Sequence, residues 1–402
     1  MGEITRGSRT TRKRVGVSRN VAGIALSAIM DMSLRAAREP GAVSLAWGLP
    51  SFLTPAHIRA AVQRALDSDT EIGKYTLGHG LAELRTAVAR EHLASTGVAV
   101  DPDSEVLITA GNMEGLNLLF HTLLDPGDSV IVTDPGFVSH IHQIELCGGR
   151  ATSWPLDETR GWALDLDALP HLIGERTKAI LLVTPSNPTG KIFTEHELRR
   201  VGELARAHDL VVLLDDPYRH FTYENRPRYF NLASVPELAG HVVYLFSFSK
   251  CHAMSGWRLG YLVAPEPLKR EIMKVHDATI LCAPHISQIA GLAALTGSRE
   301  HLGEFERALA ARRDLICARL DRVPHVFSYQ RPEGAYYVFP RIVAAHASSV
   351  EFADRLLRDT KVGVTPGSAF GSAGEHHVRM AFCVAENEID LAFDRIEAAF
   401  PR

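Results

Sequence analysis

The chain has 402 residues, of which 46% are hydrophobic and 22% are charged, and its net charge is −4. This composition is typical of a soluble globular protein with two domains, or with one large and one small domain. The small net charge argues against nucleic acid or an anionic membrane as the main partner. No apolar run approaches the roughly 20 residues of a transmembrane helix. Five scattered cysteines without a CxxC pair predict neither a disulfide framework nor a structural zinc, and they favour a reducing cytoplasm.

The N-terminal segment differs from the rest because it is basic. The first 20 residues contain six Arg or Lys and one Glu, and they lack the apolar region of a secretory signal. An organelle transit peptide and a nucleic-acid contact are open alternatives. We predict a solvated, disordered tail over residues 1–18, because the segment offers nothing to bury.

Four apolar runs, each followed by a polar turn, predict the strands of a parallel sheet. Their nearly continuous apolar character is typical of strands covered on both faces. Helical stretches separate them, and one begins at Thr194, where TEHE predicts a capping box with Glu197. This alternation indicates an α/β fold with a doubly wound sheet. The four runs are SVIVTDPGF (129–137), KAILLVTPSNPTG (178–190), LVVLLDDPY (210–218) and HVVYLFSFSK (241–250).

The pattern changes beyond about residue 290. A long helical region is followed by PEGAYYVFP (332–340) and VRMAF (378–382), which indicates a smaller α+β unit. We therefore predict a large domain over residues 51–290 and a small domain formed by residues 19–50 and 291–402.

Polar side chains follow the predicted strands, where ligands of such sheets bind. Among them, Lys250 ends a buried strand and has no charged neighbour in the sequence before Arg258. Burial lowers the pKa of an ammonium group, and a neutral amine can attack a carbonyl to form a Schiff base. A solvated surface lysine is the ordinary alternative. The other candidates after strands are Asn187, Asp215, Tyr218, Ser247 and Ser249.

Two features near Lys250 predict an anion site. Ser247, Ser249 and Arg258 are suitable donors for a phosphate, although turn serines and a structurally paired arginine are alternatives. In addition, the run at 107–124 turns into a helix, and free N–H groups near Asn112 and Met113 would face an anion at the helix N-terminus.

Asp215 ends the run VVLL, where an unpaired carboxylate is costly. It could cap a helix or bind a metal, but no His, Asp or Glu cluster at ligand spacing accompanies it, and we predict no metal. A cationic ring nitrogen would satisfy the carboxylate. Tyr218, three residues later, offers a phenol to the same ligand or packs as a core tyrosine.

The motifs SNPTG, DDPY and SFSKCHAMSGWRLGY, in this order, resemble those of the class I/II aminotransferases. These are the fold-type I enzymes that depend on pyridoxal 5′-phosphate, relatives of aspartate aminotransferase. The resemblance extends from VSLAWGLPSFLTP (43–55) to VRMAF. It implies a large domain with a mostly parallel, seven-stranded type of sheet between helices, plus a smaller α+β domain. It also implies transfer of an amino group between an L-amino acid and a 2-oxo acid by a ping-pong mechanism.

The resemblance implies a role for each candidate at the cofactor. Lys250 would hold the cofactor as a Schiff base and move the substrate proton, and Asp215 would keep the ring nitrogen protonated. Tyr218 and Asn187 would hydrogen-bond the 3′-oxygen. Phe137 stands where the family usually has a stacking Tyr or Trp. The implied phosphate ligands are Asn112, Met113, Ser247, Ser249 and Arg258.

The resemblance also implies substrate and subunit contacts. Arg379 in VRMAF matches the arginine that binds the substrate α-carboxylate, with Asn187 nearby. Gly48, with Trp47, matches a segment that closes over the substrate, and PGSAFG (366–371) matches a small-domain loop near it. Tyr75 matches a tyrosine that reaches the phosphate of the neighbouring subunit, which implies a homodimer with shared active sites.

Substrate choice is predicted from one position. Some relatives that prefer dicarboxylates have an arginine seven residues before a proline, and alignment on Pro284 places Asp277 there. An acidic group would disfavour aspartate and favour a cationic side chain, with Glu114 as a helper, whereas a solvated Asp277 is the alternative. We therefore predict that basic or neutral amino donors are used in preference to aspartate.

Other functions fit the same motifs. The fold also carries lyases, decarboxylases, cyclopropane-forming synthases and oxidases, because the motifs report cofactor binding more than the choice of bond. A non-catalytic cofactor sensor would need a DNA-binding module, for which the tail is too short. A nicotinamide dehydrogenase would need a Gly-rich fingerprint that the sequence lacks.

Overall fold

The computed structural model describes residues 16–223 and 229–401, so residues 1–15 of the predicted basic tail lie outside the described part. The side chain of Ser18 caps the first helix. The described helices are α1 (Arg19–Ala22), α2 (Ala28–Arg38), α3 (Ala56–Ser68), α4 (Ala82–Thr96), α5 (Asn112–Leu123), α6 (Val138–Leu146), α7 (Leu169–Leu172), α8 (Glu195–Ala207), α9 (Phe248–Cys251), α10 (Glu266–Thr279), α11 (His285–Thr296), α12 (Glu300–Leu320), α13 (Ser349–Thr360) and α14 (Glu386–Ala399).

The strands of the same residues fall into one large sheet and three small ones. They are β1 (Val43–Ser44), β2 (Val106–Thr109), β3 (Ser129–Asp134), β4 (Arg150–Asp157), β5 (Ala163–Leu164), β6 (Thr177–Val183), β7 (Val211–Asp215), β8 (Val242–Ser247), β9 (Gly260–Val263), β10 (Phe327–Ser328), β11 (Tyr337–Val338), β12 (Arg341–Ile342), β13 (Val362–Gly363), β14 (Thr365–Pro366) and β15 (Val378–Ala381).

The large sheet has the order β2-β9-β8-β7-β6-β3-β4-β5. The four strands predicted from apolar runs are β3, β6, β7 and β8, which lie side by side and run parallel, so that prediction is confirmed. β9 runs antiparallel to both of its neighbours. Seven of the strands match the predicted type of sheet. The eighth, the two-residue β5, extends the edge as a hairpin with β4.

Alternate residues of the central strands face two different helical layers. Leu181, Leu213 and Val243 belong to the core that contains the apolar residues of α5 and α10. Ile180, Val212 and Tyr244 belong to the core on the other face, which includes residues of α4 and α8. The sheet is therefore covered on both faces, which explains why its strands are apolar at nearly every position. The predicted capping box between Thr194 and Glu197 begins α8.

The remaining strands are β1 and the strands after residue 326, and they form three short sheets. β15 pairs with β11 and β14, and β1 pairs with β13, so residues 43–44 join the C-terminal part. The predicted boundary at residue 290 falls inside α11, which packs against α3 and α4. We therefore propose that the division lies between α11 and α12. Within residues 16–223 and 229–401, no helix is both long enough and apolar enough to cross a membrane.

Candidate active site

A cavity of about 360 Å³ lies at the edge of the sheet where β3, β6, β7 and β8 end. It brings together almost all of the side chains that the sequence singled out, although they are far apart along the chain. Tyr75 does not line it and is 81% exposed. The predicted site residues that line the cavity are Gly48, Asn112, Met113, Phe137, Asn187, Asp215, Tyr218, Ser247, Ser249, Lys250, Arg258 and Arg379, together with Trp47.

Lys250 lies in the single turn of α9, directly after β8. Its Nζ donates a hydrogen bond to the carbonyl oxygen of Gly48 at 3.1 Å. Burial, together with the positive charges of Arg379 and Arg258, lowers the pKa of the amine to about 8. A substantial fraction of the amine is therefore neutral near neutral pH, as a nucleophile or base requires.

Asp215, the last residue of β7, lines the cavity, and its carboxylate lies between the side chains of Asn112 and His140. Asn112 Nδ2 donates to one oxygen at 2.6 Å, and His140 Nε2 lies 3.1 Å from the other. These contacts fix the orientation of a buried anion that faces the cavity. His140 was not predicted, because nothing in the sequence VSHIHQ distinguishes it from an ordinary core histidine.

The start of α5 and the side chain of Arg258 lie next to each other at the cavity. The first intrahelical bond runs from Glu114 N–H to Gly111, so the N–H groups of Asn112 and Met113 precede it. Gly111 has φ +86°, and a Cβ there would lie 2.7 Å from Arg258 Nη2. Absence of a side chain thus lets the guanidinium approach the helix N-terminus, where an anion is favoured.

Arg379 is only 2% exposed, yet no acidic side chain among the described residues pairs with it. It donates from Nη1 to Asn187 Oδ1 at 3.0 Å and from Nη2 to the carbonyl oxygen of Ala46 at 2.5 Å. Its Nε has no hydrogen-bond partner in the described part of the chain. Such a buried, charged and incompletely paired guanidinium is suited to a carboxylate ligand.

Tyr337 contacts both sides of the site and was not predicted. Its hydroxyl lies 3.0 Å from that of Tyr218, and its ring lies 4.5 Å from the Arg379 guanidinium. Burial raises the pKa of Tyr218 well above its usual value, so the phenol stays protonated and can donate. A Cβ on Gly48 would overlap the Tyr337 hydroxyl and lie 2.8 Å from its Cζ. Gly48 is therefore required for close packing here.

The N-terminal helix α2 contributes a wall of the cavity that the sequence did not reveal. Ile29, Met30 and Ser33 line the cavity from α2, and Ser27 lines it from the helix cap. The helix is amphipathic, but its sequence does not show which element its apolar face contacts.

The two residues proposed to select a basic substrate do not line the cavity of this chain. The Glu114 carboxylate lies 2.7 Å from His276 Nδ1 and also accepts a hydrogen bond from the N–H of Ala110. Both of its oxygens therefore have partners within the protein. Asp277 is exposed on α10, in agreement with the solvated alternative. Among the described residues, no group of three or more His, Cys, Asp or Glu is placed to hold a metal ion.

Comparison with known proteins shows to which family the chain belongs. The family model for aminotransferase class I and II matches residues 40–396, and the chain belongs to that family, whose members use pyridoxal phosphate.

The relatives act on different substrates. Aromatic-amino-acid aminotransferase 2 of Thermococcus litoralis is 34% identical over 89% of this chain and 91% of its own length. Aspartate aminotransferase of Pyrococcus horikoshii is 34% identical over 96% and 98%. A single mutant of Thermus thermophilus aspartate aminotransferase has a TM-score of 0.90 at 32% identity, covering 96% of this chain and all of that chain. The chain is therefore an aminotransferase, and its relatives leave the amino acid open.

The residues present fit pyridoxal 5′-phosphate. The cavity offers a partly neutral amine at Lys250, a fixed carboxylate at Asp215 and an anion pocket at the start of α5. These groups match the aldehyde, the ring nitrogen and the phosphate of the cofactor, respectively. The unpaired Nε of Arg379 remains for a substrate carboxylate.

Proposed function

We propose that this aminotransferase takes its amino group from a neutral amino acid and passes it to a 2-oxo acid by a ping-pong mechanism. The observation that carries the proposal is the set of cations at the cavity. Lys250, Arg258 and Arg379 are the only Lys or Arg side chains among the described lining residues. The first two would hold the cofactor and the third the α-carboxylate, so this chain's lining has no further Lys or Arg for an acidic side chain.

The protein groups would act on fixed atoms of the two ligands. Bound pyridoxal 5′-phosphate supplies the aldehyde that takes up the amino group and the ring that acidifies the Cα–H bond. Asp215 would hold the proton on the ring nitrogen, while Asn112, Met113, Ser247, Ser249 and Arg258 would hold the phosphate. Tyr218 and Asn187 would donate to the 3′-oxygen, and Phe137 would stack on the ring.

Lys250 and Arg379 would carry out the steps on the substrate. The Lys250 amine would take the proton from Cα and return it at C4′, for which its lowered pKa suits it. Arg379 would bind the α-carboxylate and so fix which Cα bond faces Lys250. Gly48 and Trp47 would cover the substrate.

Apolar residues of the cavity lining support a neutral side chain on the substrate. Ile29, Met30, Trp47 and Val183 present apolar surface to the cavity. An acidic or strongly basic side chain would lose its water there without gaining a partner, which is costly. Neutral amino donors are therefore favoured over both aspartate and the basic donors.

We also propose a homodimer located in the cytoplasm. Tyr75 and Leu77 are strongly exposed, and Leu281 nearby is exposed as well, as expected of side chains that a second subunit covers. The five free cysteines support a reducing compartment.

A donor screen tests the proposal. The purified protein with pyridoxal 5′-phosphate is mixed with 2-oxobutyrate, a neutral acceptor, and with alanine, leucine, phenylalanine, aspartate or lysine, and the 2-oxo acid formed from each donor is measured. We expect at least one neutral donor to exceed aspartate and lysine in kcat/KM by about tenfold or more, the effect of one unpaired buried charge.

Two results would contradict the proposal. Equal or faster turnover of aspartate would show that a cation reaches the side chain of the substrate. Faster turnover of lysine would show that an acidic residue selects a basic substrate. Ammonia, carbon dioxide or peroxide in place of the 2-oxo acid would indicate lyase, decarboxylase or oxidase chemistry.

A further inference from the structure

A contact behind the substrate site joins the end of β3 to the loop between β14 and β15. We propose that Asp134 is a positioning residue for the substrate carboxylate, because it holds this loop and thereby Phe370 and Arg379. The inference rests on the proposed function, in that it takes Arg379 as the ligand of the α-carboxylate.

Asp134 is a buried carboxylate that is held by hydrogen bonds alone. It is 5% exposed, and no Lys, Arg or His among the described residues forms an ion pair with it. Its Oδ2 accepts from Ser372 Oγ at 2.8 Å and from Ser153 Oγ at 2.9 Å. Its Oδ1 accepts from the N–H of Ala373 at 3.0 Å. We call these four residues the Asp134 cluster. Since a buried anion needs its donors, the two donors from the loop fix the loop to β3.

The loop is shaped to approach this carboxylate closely. Gly371 has φ +116°, and a Cβ there would overlap Asp134 Oδ1 and lie 2.7 Å from Asp134 Cγ. A second bond joins the same segments, because Gly136 N–H donates to the carbonyl oxygen of Phe370 at 2.7 Å. The turn that presents Phe137 to the cavity and the loop that carries Phe370 are thus held together at two points.

Phe370 connects the loop to Arg379, because it lies in the loop and its ring packs on the guanidinium. Its buried ring lies 4.9 Å from the Arg379 guanidinium, on which the Tyr337 ring also packs at 4.5 Å. β14 places Thr365 opposite Arg379 on β15. Because no described acidic residue orients Arg379, its position depends on these rings and on its oxygen acceptors. A loop released from Asp134 would let the guanidinium move and would weaken carboxylate binding.

Two serines provide a matched test. Ser372→Ala and Ser153→Ala each remove one hydroxyl from the same carboxylate oxygen, but only Ser372 belongs to the loop. With the best donor of the screen, we expect Ser372→Ala to raise KM about five- to tenfold with kcat nearly unchanged, since a lost charged hydrogen bond affects ground state and transition state alike. Ser153→Ala should leave KM within about twofold of the original value.

A second pair uses the two ends of β3. Asp134→Asn should raise KM at least as much as Ser372→Ala. The control is Asp128→Asn, because Asp128 is equally buried next to the other end of the strand, where Arg176 pairs with it at 2.9 Å. This control should lower thermal stability without changing KM. A readout independent of turnover is hydrogen exchange of peptides from residues 367–377, which should be faster in Ser372→Ala and Asp134→Asn than in their controls.

The outcomes separate the inference from the function on which it rests. Unchanged KM or unchanged exchange in both Ser372→Ala and Asp134→Asn would overturn the role of Asp134. Arg379→Lys, which keeps the charge but loses the planar fork, should raise KM in any case. If it does not, the proposed role of Arg379 fails as well.

Discussion

A single amine shows how burial alters chemistry at the scale of one residue. An ordinary lysine side chain has a pKa near 10.5, whereas that of Lys250 is lowered to about 8, first by burial and then by nearby cations. At pH 7 this change raises the neutral fraction from about 0.03% to about 10%. The sequence could predict Lys250 because an apolar strand leads directly to it. It could not predict His140 or Tyr337, because each acts only through a partner distant in the chain.

The lowered pKa predicts how capture of the cofactor depends on pH. In cofactor-free protein only the neutral amine of Lys250 attacks the aldehyde, so the rate should rise about tenfold per pH unit below pH 8 and level off above it. Stopped-flow absorbance after mixing with pyridoxal 5′-phosphate measures this rate. Nα-acetyl-lysine in solution is the control, and its rate should keep rising towards pH 10. A profile for the protein that also rises to pH 10 would show that Lys250 is not buried in the free enzyme.

At the scale of secondary-structure elements, the sequence predicts which residues lie at the ends of the strands. It does not predict which other segments line the cavity. The positions of Asn187, Asp215 and Lys250 follow from local apolar runs, because parallel strands end at a common edge. The placement of α2 over the cavity depends on packing between distant segments, which periodicity does not encode. The same holds for the contact of Gly48 with Tyr337, which brings together residues 289 positions apart in the sequence.

Gly48→Ala tests how tightly the segment after β1 packs on β11. The added methyl group would overlap the Tyr337 hydroxyl, and overpacking of this kind costs about 1–3 kcal/mol, so we expect kcat/KM to fall at least about fivefold. Gly240→Ala is the control, since a Cβ there meets nothing within 4 Å, and it should retain full activity.

Removing the Tyr337 hydroxyl should restore part of the activity that Gly48→Ala loses, because it makes room for the added methyl group. Tyr337→Phe removes the overlapping oxygen, so the double variant with Gly48→Ala should lose less activity than the two single losses combined predict. Strictly additive losses would mean that Gly48 acts through another contact.

At the scale of the whole molecule, one predicted site residue lies away from the site of its own chain. Tyr75 is 81% exposed and outside the cavity, while every other predicted cofactor ligand lines it. The sequence predicted Tyr75 only through the resemblance to a dimeric family, because no local pattern tells a residue that serves a second subunit from an exposed one. The division into 51–290 and the remainder likewise stays a prediction, with its boundary better placed after α11.

Mixed dimers test whether Tyr75 acts across subunits. Tyr75→Ala should weaken binding of the cofactor phosphate, and Lys250→Ala should abolish turnover, so each homodimer is nearly inactive at limiting cofactor. In a dimer of one chain of each kind, a Tyr75 that acts across subunits places both defects in one site and leaves the other site intact. An equimolar, fully exchanged mixture should then recover about one quarter of the activity per site of the original protein, because half of its dimers are mixed and one site in each is intact. If Tyr75 serves its own chain, mixing the two variants restores nothing, and if it serves neither chain, the Tyr75→Ala homodimer is active before mixing. Either result means that the shared-site arrangement is wrong even where the subunits pair.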